Sequence, residues 1–103
     1  MSKLVRDKIP EIIEASGKTP IYTQCAPEEL LGWLYSKLQE EYLELMNANE
    51  RADILQEIAD VYEVMLCLAR HYGYIELDIK KAVEDKRAAR GSFRKGFILK
   101  EVK

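Results

Sequence analysis

Apolar residues recur at helical spacing in two long stretches of this chain. From Pro27 to about Asn47, and again from about Arg51 to Tyr72, they return every three or four residues. This period is that of an α-helix buried along one side. Pro27 favours a helix start and Gly73 a helix end, so the sequence predicts two long helices joined at "NANE". The first apolar seam contains Leu31, Leu34, Leu38, Glu41 and Leu45, and the second contains Ile54, Ile58, Val61, Met65, Leu68 and Tyr72.

Shorter elements flank this pair of helices. A short helix with Pro10 in its first turn is expected to run to Gly17. A fourth helix should span about Ile75 to Arg90, and Gly91 should cap it. Its predicted buried side consists of Leu77, Ile79, Ala82 and Val83.

The last apolar cluster predicts a minor β element. Phe97, Ile98 and Leu99 form a short strand-like run that we expect to lie beside a strand at Tyr22 and Thr23. The predicted fold class is therefore all-α, with an antiparallel helical hairpin, flanking short helices and a minor two-stranded β element. The whole chain, 1–103, is expected to form one domain.

Size and charge narrow the function classes. A chain of 103 residues buries a limited share of its surface, so pairing with a second copy would stabilise it. Eighteen acidic and sixteen basic residues give a net charge of -2, which argues against a general nucleic-acid or membrane coat. The N-terminal "MSKLVRDKIPEII" lacks the long apolar core of a signal peptide. Cys25 and Cys67 form no close motif and are expected to be free thiols, which favours a reducing, cytoplasmic location.

Two acidic pairs share one spacing within the predicted hairpin. Glu41 and Glu44 lie three residues apart, as do Glu57 and Asp60, so each pair occupies one helix face. Such pairs are common by chance. These two, however, are centred on the same point in the "NANE" turn, which places Glu41 level with Asp60 and Glu44 level with Glu57 in an antiparallel hairpin.

Four carboxylates at one height would repel strongly. Two of them about 5 Å apart repel by roughly 3 kcal/mol at an effective dielectric near 20. Protons or cations must therefore offset this repulsion, and oxygen ligands favour hard cations, Mg²⁺ above all. The alternative is a solvated helix face with its acids turned outward. Glu41 weakens this alternative because it interrupts an apolar seam, and Glu40 beside it is a candidate further ligand, general base or surface acid.

Basic residues gather in the last quarter of the chain. Lys86, Arg87 and Arg90 would suit a polyphosphate, whose oxygens need several cations. They equally suit the negative end of a helix, and with Phe93 and Phe97 they form a weaker nucleic-acid candidate. Lys3, Arg6 and Lys8 could join them if the N-terminal segment folds back. Trp33 is the candidate for stacking on a nucleotide base, with a core or dimer role as the alternative.

These motifs resemble a known superfamily. "QEEYLEL", with Glu40, Glu41 and Glu44, followed by "EIADVYEV", is similar to the E-E-x-x-E … E-x-x-D signature of the MazG-like, all-α nucleoside triphosphate pyrophosphohydrolases. "KLVRDKIPEII" and "KRAARGSF" resemble its phosphoribosyl-ATP pyrophosphohydrolase-like house-cleaning subgroup.

The resemblance implies a Mg²⁺-dependent enzyme. Mg²⁺, with Mn²⁺ able to substitute, would be bound by Glu41, Glu44, Glu57 and Asp60, and a nucleotide would be cleaved between its α- and β-phosphates. It also implies a homodimer or a dimer of dimers whose helices form a bundle. Glu40 and Glu41 are the candidate proton acceptors. The rival hypothesis is a non-catalytic helical module for dimerisation or partner binding.

Overall fold

A computed structural model describes residues 2–103 and contains four α-helices and no β-strand within them. Helix α1 spans Ile9–Ala15, α2 Pro27–Asn47, α3 Arg51–His71 and α4 Glu76–Arg90. The predicted all-α class is thus confirmed. The long helices begin and end within a residue or two of their expected positions, and Gly73 and Gly91 adopt the positive φ expected after a helix end.

The centre of the fold is the α2–α3 hairpin. The three residues Ala48–Glu50 connect the two helices, so the chain must reverse and the helices pack antiparallel. Leu34, Val64 and Leu68 form its buried core, and five half-buried side chains pack against them. Those five are Leu4, Leu30, Leu31, Leu38 and Cys67.

The predicted seam of α3 was wrong in half of its members. The face that α3 turns toward α2 comprises Ile54, Glu57, Val61, Val64 and Leu68, which repeat at the same three- and four-residue intervals as the seam of α2. Ile58, Met65 and Tyr72 are instead each at least two-fifths exposed. Ile58 and Met65 belong to a second apolar stripe one position further round the helix, and a pattern of apolar residues in the sequence cannot separate two adjacent stripes. Tyr72 follows the end of α3, where its hydroxyl lies 3.2 Å from that of Tyr35 on α2.

This second stripe gives α3 two apolar faces. We define the outer stripe as Leu55, Ile58, Tyr62 and Met65, all exposed and again spaced by three and four residues. Helix α3 therefore resembles a helix from the interior of a bundle more than one from the surface of a two-helix hairpin.

The flanking elements pack less closely than expected. The predicted buried side of α4 was wrong, since Leu77, Ala82 and Val83 are exposed and Ile79 alone of that set is half-buried. Among the other helices, α4 packs only against α3. Its first turn is nevertheless defined, because Asp78 accepts a hydrogen bond from the backbone N–H of Ile75 at 2.8 Å.

The predicted β element was also wrong. Ile98 and Leu99 are about four-fifths exposed, and no backbone hydrogen bond joins this segment to Tyr22. A lone pair of short strands is unstable in water without a packed face. The high exposure of Phe97, Ile98 and Leu99 shows that no described element packs on this segment. The radius of gyration is 17.8 Å, whereas a compact domain of this length has about 13 Å. One chain thus leaves much apolar surface uncovered.

Candidate metal centre

Glu41 is the buried charged residue of the described chain. Only 6% of it is exposed, and it lies in the apolar seam of α2, where its neighbours along the face are leucines. Its Oε1 is 3.3 Å from Nζ of Lys37, one helical turn earlier. Its Oε2 is inaccessible to solvent and has no hydrogen-bond partner among the described residues. A buried carboxylate in this state is costly unless a cation or proton accompanies it.

Two acids of α3 face Glu41. One carboxylate oxygen from each of Glu41, Glu57 and Asp60 lies within 4.8 Å of the others. The α3 seam carries Glu57 inward just as the α2 seam carries Glu41, and Asp60 lies one turn further along. Glu57 Oε2 is a second buried oxygen without a partner. The hairpin thus brings carboxylates from both helices to one place.

Glu40, Glu41 and Glu44 form an overlapping group on α2, again with one oxygen of each within 4.8 Å of the others. The negative charge of Glu44 also acts on Glu57 across the interface. All four acids of the sequence-derived site, together with Glu40, therefore lie in one cluster.

The electrostatics of the cluster follow from its burial and its like charges. Burial, with the neighbouring charges of Glu44 and Asp60, raises the pKa of Glu57 to about 7. Burial likewise raises the pKa of Glu41, and Lys37 only partly opposes it. The pKa of Glu40 moves in the opposite direction. Partial burial acts to raise this pKa, but the hydrogen bond and charge of Lys37 outweigh burial and lower the pKa below its ordinary value.

Three cations surround these acids. Lys37 donates to Glu40 at 3.1 Å, and Lys3 lies 3.5 Å from the other oxygen of Glu40. Arg6 donates to Asp60 at 2.6 Å. The N-terminal segment thus does fold back, as the sequence allowed, and it reaches the acids of both long helices.

Lys37 was missed in the sequence, although its spacing was informative. A lysine three and four residues before two glutamates on one helix can reach both. The partnership of Arg6 with Asp60 has no such local signal, because 54 residues separate them.

The other sequence-derived site residues lie apart from the acids. Lys86, Arg87 and Arg90 are exposed on α4, and none of them forms an ion pair or hydrogen bond with a site acid in the described chain. Lys8 is exposed as well. Trp33 is half-buried and lines a cavity of about 350 Å³ between the N-terminal segment and α2. The cavity is also lined by Ser2, Lys3, Leu4, Ser36, Lys37 and Glu40.

A second, shallower cavity of about 490 Å³ opens toward the turn. Glu40, Glu44, Asp53 and Glu57 are among the residues that line it. The acidic cluster is therefore reachable from solvent on its turn side, while its other side borders the cavity that contains Trp33. A cation or a small anion can therefore reach the carboxylates without unfolding of the hairpin.

Comparison with known proteins adds one partial match. The chain is 45% identical over 56 residues to an uncharacterized protein of Mycolicibacterium smegmatis. The match covers 54% of this chain and 57% of that relative. No family model and no solved structure matches the chain. None of the helices in residues 2–103 is both long and apolar enough to span a membrane.

Proposed function

We propose that this chain is a MazG-like, all-α nucleoside triphosphate pyrophosphohydrolase that uses Mg²⁺ or Mn²⁺. The observation that carries the proposal is the pair of buried, unpartnered carboxylate oxygens on Glu41 and Glu57, in a group that Asp60 completes. Buried polar atoms without partners are rare in proteins and call for an explanation such as an ion. Oxygen donors at this spacing suit a hard divalent cation.

The charge balance of the cluster supports the same cation. Five carboxylates, from Glu40, Glu41, Glu44, Glu57 and Asp60, meet three cationic side chains. Two negative charges are left over, and one divalent cation would balance them. This count takes all five carboxylates as ionised, a state that a bound cation would favour at Glu57, whose pKa is raised to about 7 by burial and by its acidic neighbours.

In the proposed reaction, water attacks the α-phosphorus of a nucleotide. The bond from that phosphorus to the bridging oxygen breaks, and a nucleoside monophosphate and pyrophosphate result. When bound, the cation would activate the water and offset charge on the phosphate oxygens. Glu41, Glu44, Glu57 and Asp60 would hold it, and the proton of the water would pass to a carboxylate of Glu40 or Glu41.

The position of Glu40 fits a part in this chemistry. Lys37 and Lys3 hold its two oxygens, and it lies beside both cavities. On the far side, Trp33 offers an aromatic face for the base of the nucleotide. By the rise of the helix, Trp33 and Glu40 are about 10 Å apart along α2, which leaves room for a sugar and phosphate between base and metal centre.

A phosphate role for Lys86, Arg87 and Arg90 requires a second copy of the chain. Helix α4 packs against α3 alone among the other helices, and these side chains point into solvent within one protomer. The outer stripe of α3 offers an apolar surface for such pairing. A second copy packed against it would remove the exposed side chains of Leu55, Ile58, Tyr62 and Met65 from water. We therefore propose a homodimer or a dimer of dimers, working in the cytoplasm, with no role in nucleic-acid binding.

The alternative is a helical dimerisation or partner-binding module without catalysis. The observation that favours it is the extent of exposed apolar surface on α3 and α4. The two hypotheses differ in their response to metal, since a cation that binds the folded cluster must raise its stability, whereas a plain dimerisation module would not respond.

Pyrophosphate release tests the enzymatic proposal directly. The protein is incubated with Mg²⁺ and a panel of standard and damaged nucleoside triphosphates, and pyrophosphate is quantified. We expect turnover of at least one substrate, lost in Glu41→Gln and Asp60→Asn. The matched control is Glu11→Gln, which alters an exposed glutamate of another i,i+3 acidic pair on α1 and should keep full activity. No turnover of any nucleotide would refute the proposal.

A further inference from the structure

The N-terminal segment crosses the acidic cluster as a strap. We define the N-terminal strap as Lys3–Arg6. Its Leu4 is half-buried and packs against the core of the hairpin. On either side of this anchor, Lys3 reaches Glu40 on α2 and Arg6 reaches Asp60 on α3. The strap therefore carries two positive charges to acids on both long helices.

Stability alone does not explain these two contacts. The side chains of Lys3 and Arg6 are 61% and 57% exposed, and ion pairs this open to solvent contribute little to folding. Leu4 already attaches the segment to the core. The cations are thus placed at the acids without a substantial gain in stability, which points to a role at the site itself.

Both side chains have hydrogen-bond donors that these contacts leave unused. Arg6 has five N–H donors and uses its Nη2 on Asp60, and Lys3 has three donors and contacts one oxygen of Glu40. The planar guanidinium matches the oxygens of a phosphate, and both groups bind phosphates through short charge-assisted hydrogen bonds. Lys3 also lines the cavity that contains Trp33, on the path from the cluster to the proposed base site.

We propose that the N-terminal strap is an exchangeable counterion: Lys3 and Arg6 neutralise Glu40 and Asp60 in the metal-free protein, and both bind the triphosphate of the substrate once a divalent cation held by Asp60 and the other ligand acids supplies that positive charge. The inference rests on the proposed function and identifies the polyphosphate subsite of that same centre. Its physical basis is that a divalent cation at Asp60 repels the nearby guanidinium, and that the arriving phosphates offer both displaced side chains a new partner.

This exchange predicts opposite effects on two affinities. Removing Arg6 leaves Asp60 without a competitor, so metal should bind more tightly, by up to about five-fold for a pair this exposed. The same change should weaken binding of triphosphate to the metal-loaded protein by about ten-fold or more, the usual loss for a charge-assisted hydrogen bond. A residue that merely held Asp60 in place would weaken both when removed.

The test measures both affinities on the full chain, without turnover. Mn²⁺ binding is followed by the electron paramagnetic resonance signal of the free ion, and inorganic triphosphate binding by calorimetry at saturating Mg²⁺. The variants are Lys3→Ala, Arg6→Ala and Arg6→Lys, with Lys8→Ala as the matched control, since Lys8 is exposed and makes no ion pair in the described chain. Thermal melts verify that each variant folds.

In Arg6→Ala we expect tighter Mn²⁺ binding and weaker triphosphate binding, and Lys3→Ala should change both affinities in the same directions. Arg6→Lys should partly recover triphosphate binding. Lys8→Ala should leave both affinities unchanged. Weaker Mn²⁺ binding in Arg6→Ala, wild-type triphosphate binding in both alanine variants, or no triphosphate binding by the wild type would each overturn the inference. If the crossed pattern appears but no pyrophosphate is ever released from nucleotides, the proposed enzymatic function fails while the anion subsite stands.

Discussion

Glu41 and Glu57 meet across the α2–α3 interface, and each holds a buried carboxylate oxygen that no described group satisfies. Each residue occupies the place of an apolar side chain in the seam of its helix. A hairpin with so small a core would be more stable with two leucines there. The retained pair of acids therefore indicates a site whose requirements conflict with the stability of the metal-free fold.

Divalent metal should stabilise this protein. We expect Mg²⁺ or Mn²⁺ to raise the melting temperature in proportion to the logarithm of its concentration above the dissociation constant. Differential scanning calorimetry with and without EDTA measures the shift. Glu41→Gln should abolish it and Glu11→Gln should preserve it. A melting temperature that metal leaves unchanged, in the wild type and in every variant, would favour the non-catalytic module.

The metal-free protein should lose stability as pH rises from about 4.5 to about 7. The pKa of Glu57 is raised to about 7, so across this window the folded state holds a proton that the unfolded state has released. Stability falls wherever the folded state binds more protons. Urea melts in EDTA at a series of pH values measure the slope. Glu57→Gln should reduce the slope, because glutamine does not titrate, while the raised pKa of Glu41 preserves part of it. An unchanged slope in that variant would contradict the assignment.

Lys37 and Glu41 should be energetically coupled. The lysine is largely buried at its side chain and contacts both Glu40 and Glu41, so Lys37→Ala leaves a buried carboxylate without its cation. We expect a loss of about 1–3 kcal/mol in the free energy of unfolding, much of it absent when Glu41→Gln is already present. A double-mutant cycle by chemical denaturation measures the coupling. Additive effects would show that Lys37 acts independently of Glu41.

The core of the hairpin should be sensitive to truncation despite its small size. Leu34 is 3% exposed, and Leu34→Ala should cost about 2–5 kcal/mol, a large fraction of the roughly 5–15 kcal/mol that stabilises a domain. Leu77→Ala is the control, because Leu77 is 69% exposed on α4 and should change stability by less than about 0.5 kcal/mol. Equal losses in both variants would mean that Leu77 is buried in solution by a partner.

The outer stripe of α3 should mediate self-association. Ile58→Glu places a charge in the middle of that stripe and should reduce the oligomer to a smaller species, as measured by light scattering coupled to size-exclusion chromatography. Ile98→Glu makes the same chemical change in the exposed C-terminal tail and should leave the mass unaltered. A wild-type protein that is already monomeric at micromolar concentration would contradict the proposed dimer.

The sequence predicted the hairpin and its acidic cluster well because both depend on local rules. Pro27 and the residues around Asn49 define the helix ends, and equal distance from the turn brings Glu41 level with Asp60. The α3 seam failed because Ile58 and Met65 belong to a second stripe, whose role depends on contacts outside one chain. Arg6 could not be assigned to Asp60, since nothing local encodes a contact across 54 residues.

The short Ala48–Glu50 connection has a consequence for how the site comes into being. The acids of α2 and α3 are close in sequence to the reversal point, so their approach requires closure of only a small loop, and chains dominated by such local contacts fold quickly. We therefore expect the carboxylates to meet at an early stage of folding, before α4 and the tail become ordered. In hydrogen exchange, we expect the amides near Leu34 and Leu68 to open last and those of α4 to open first.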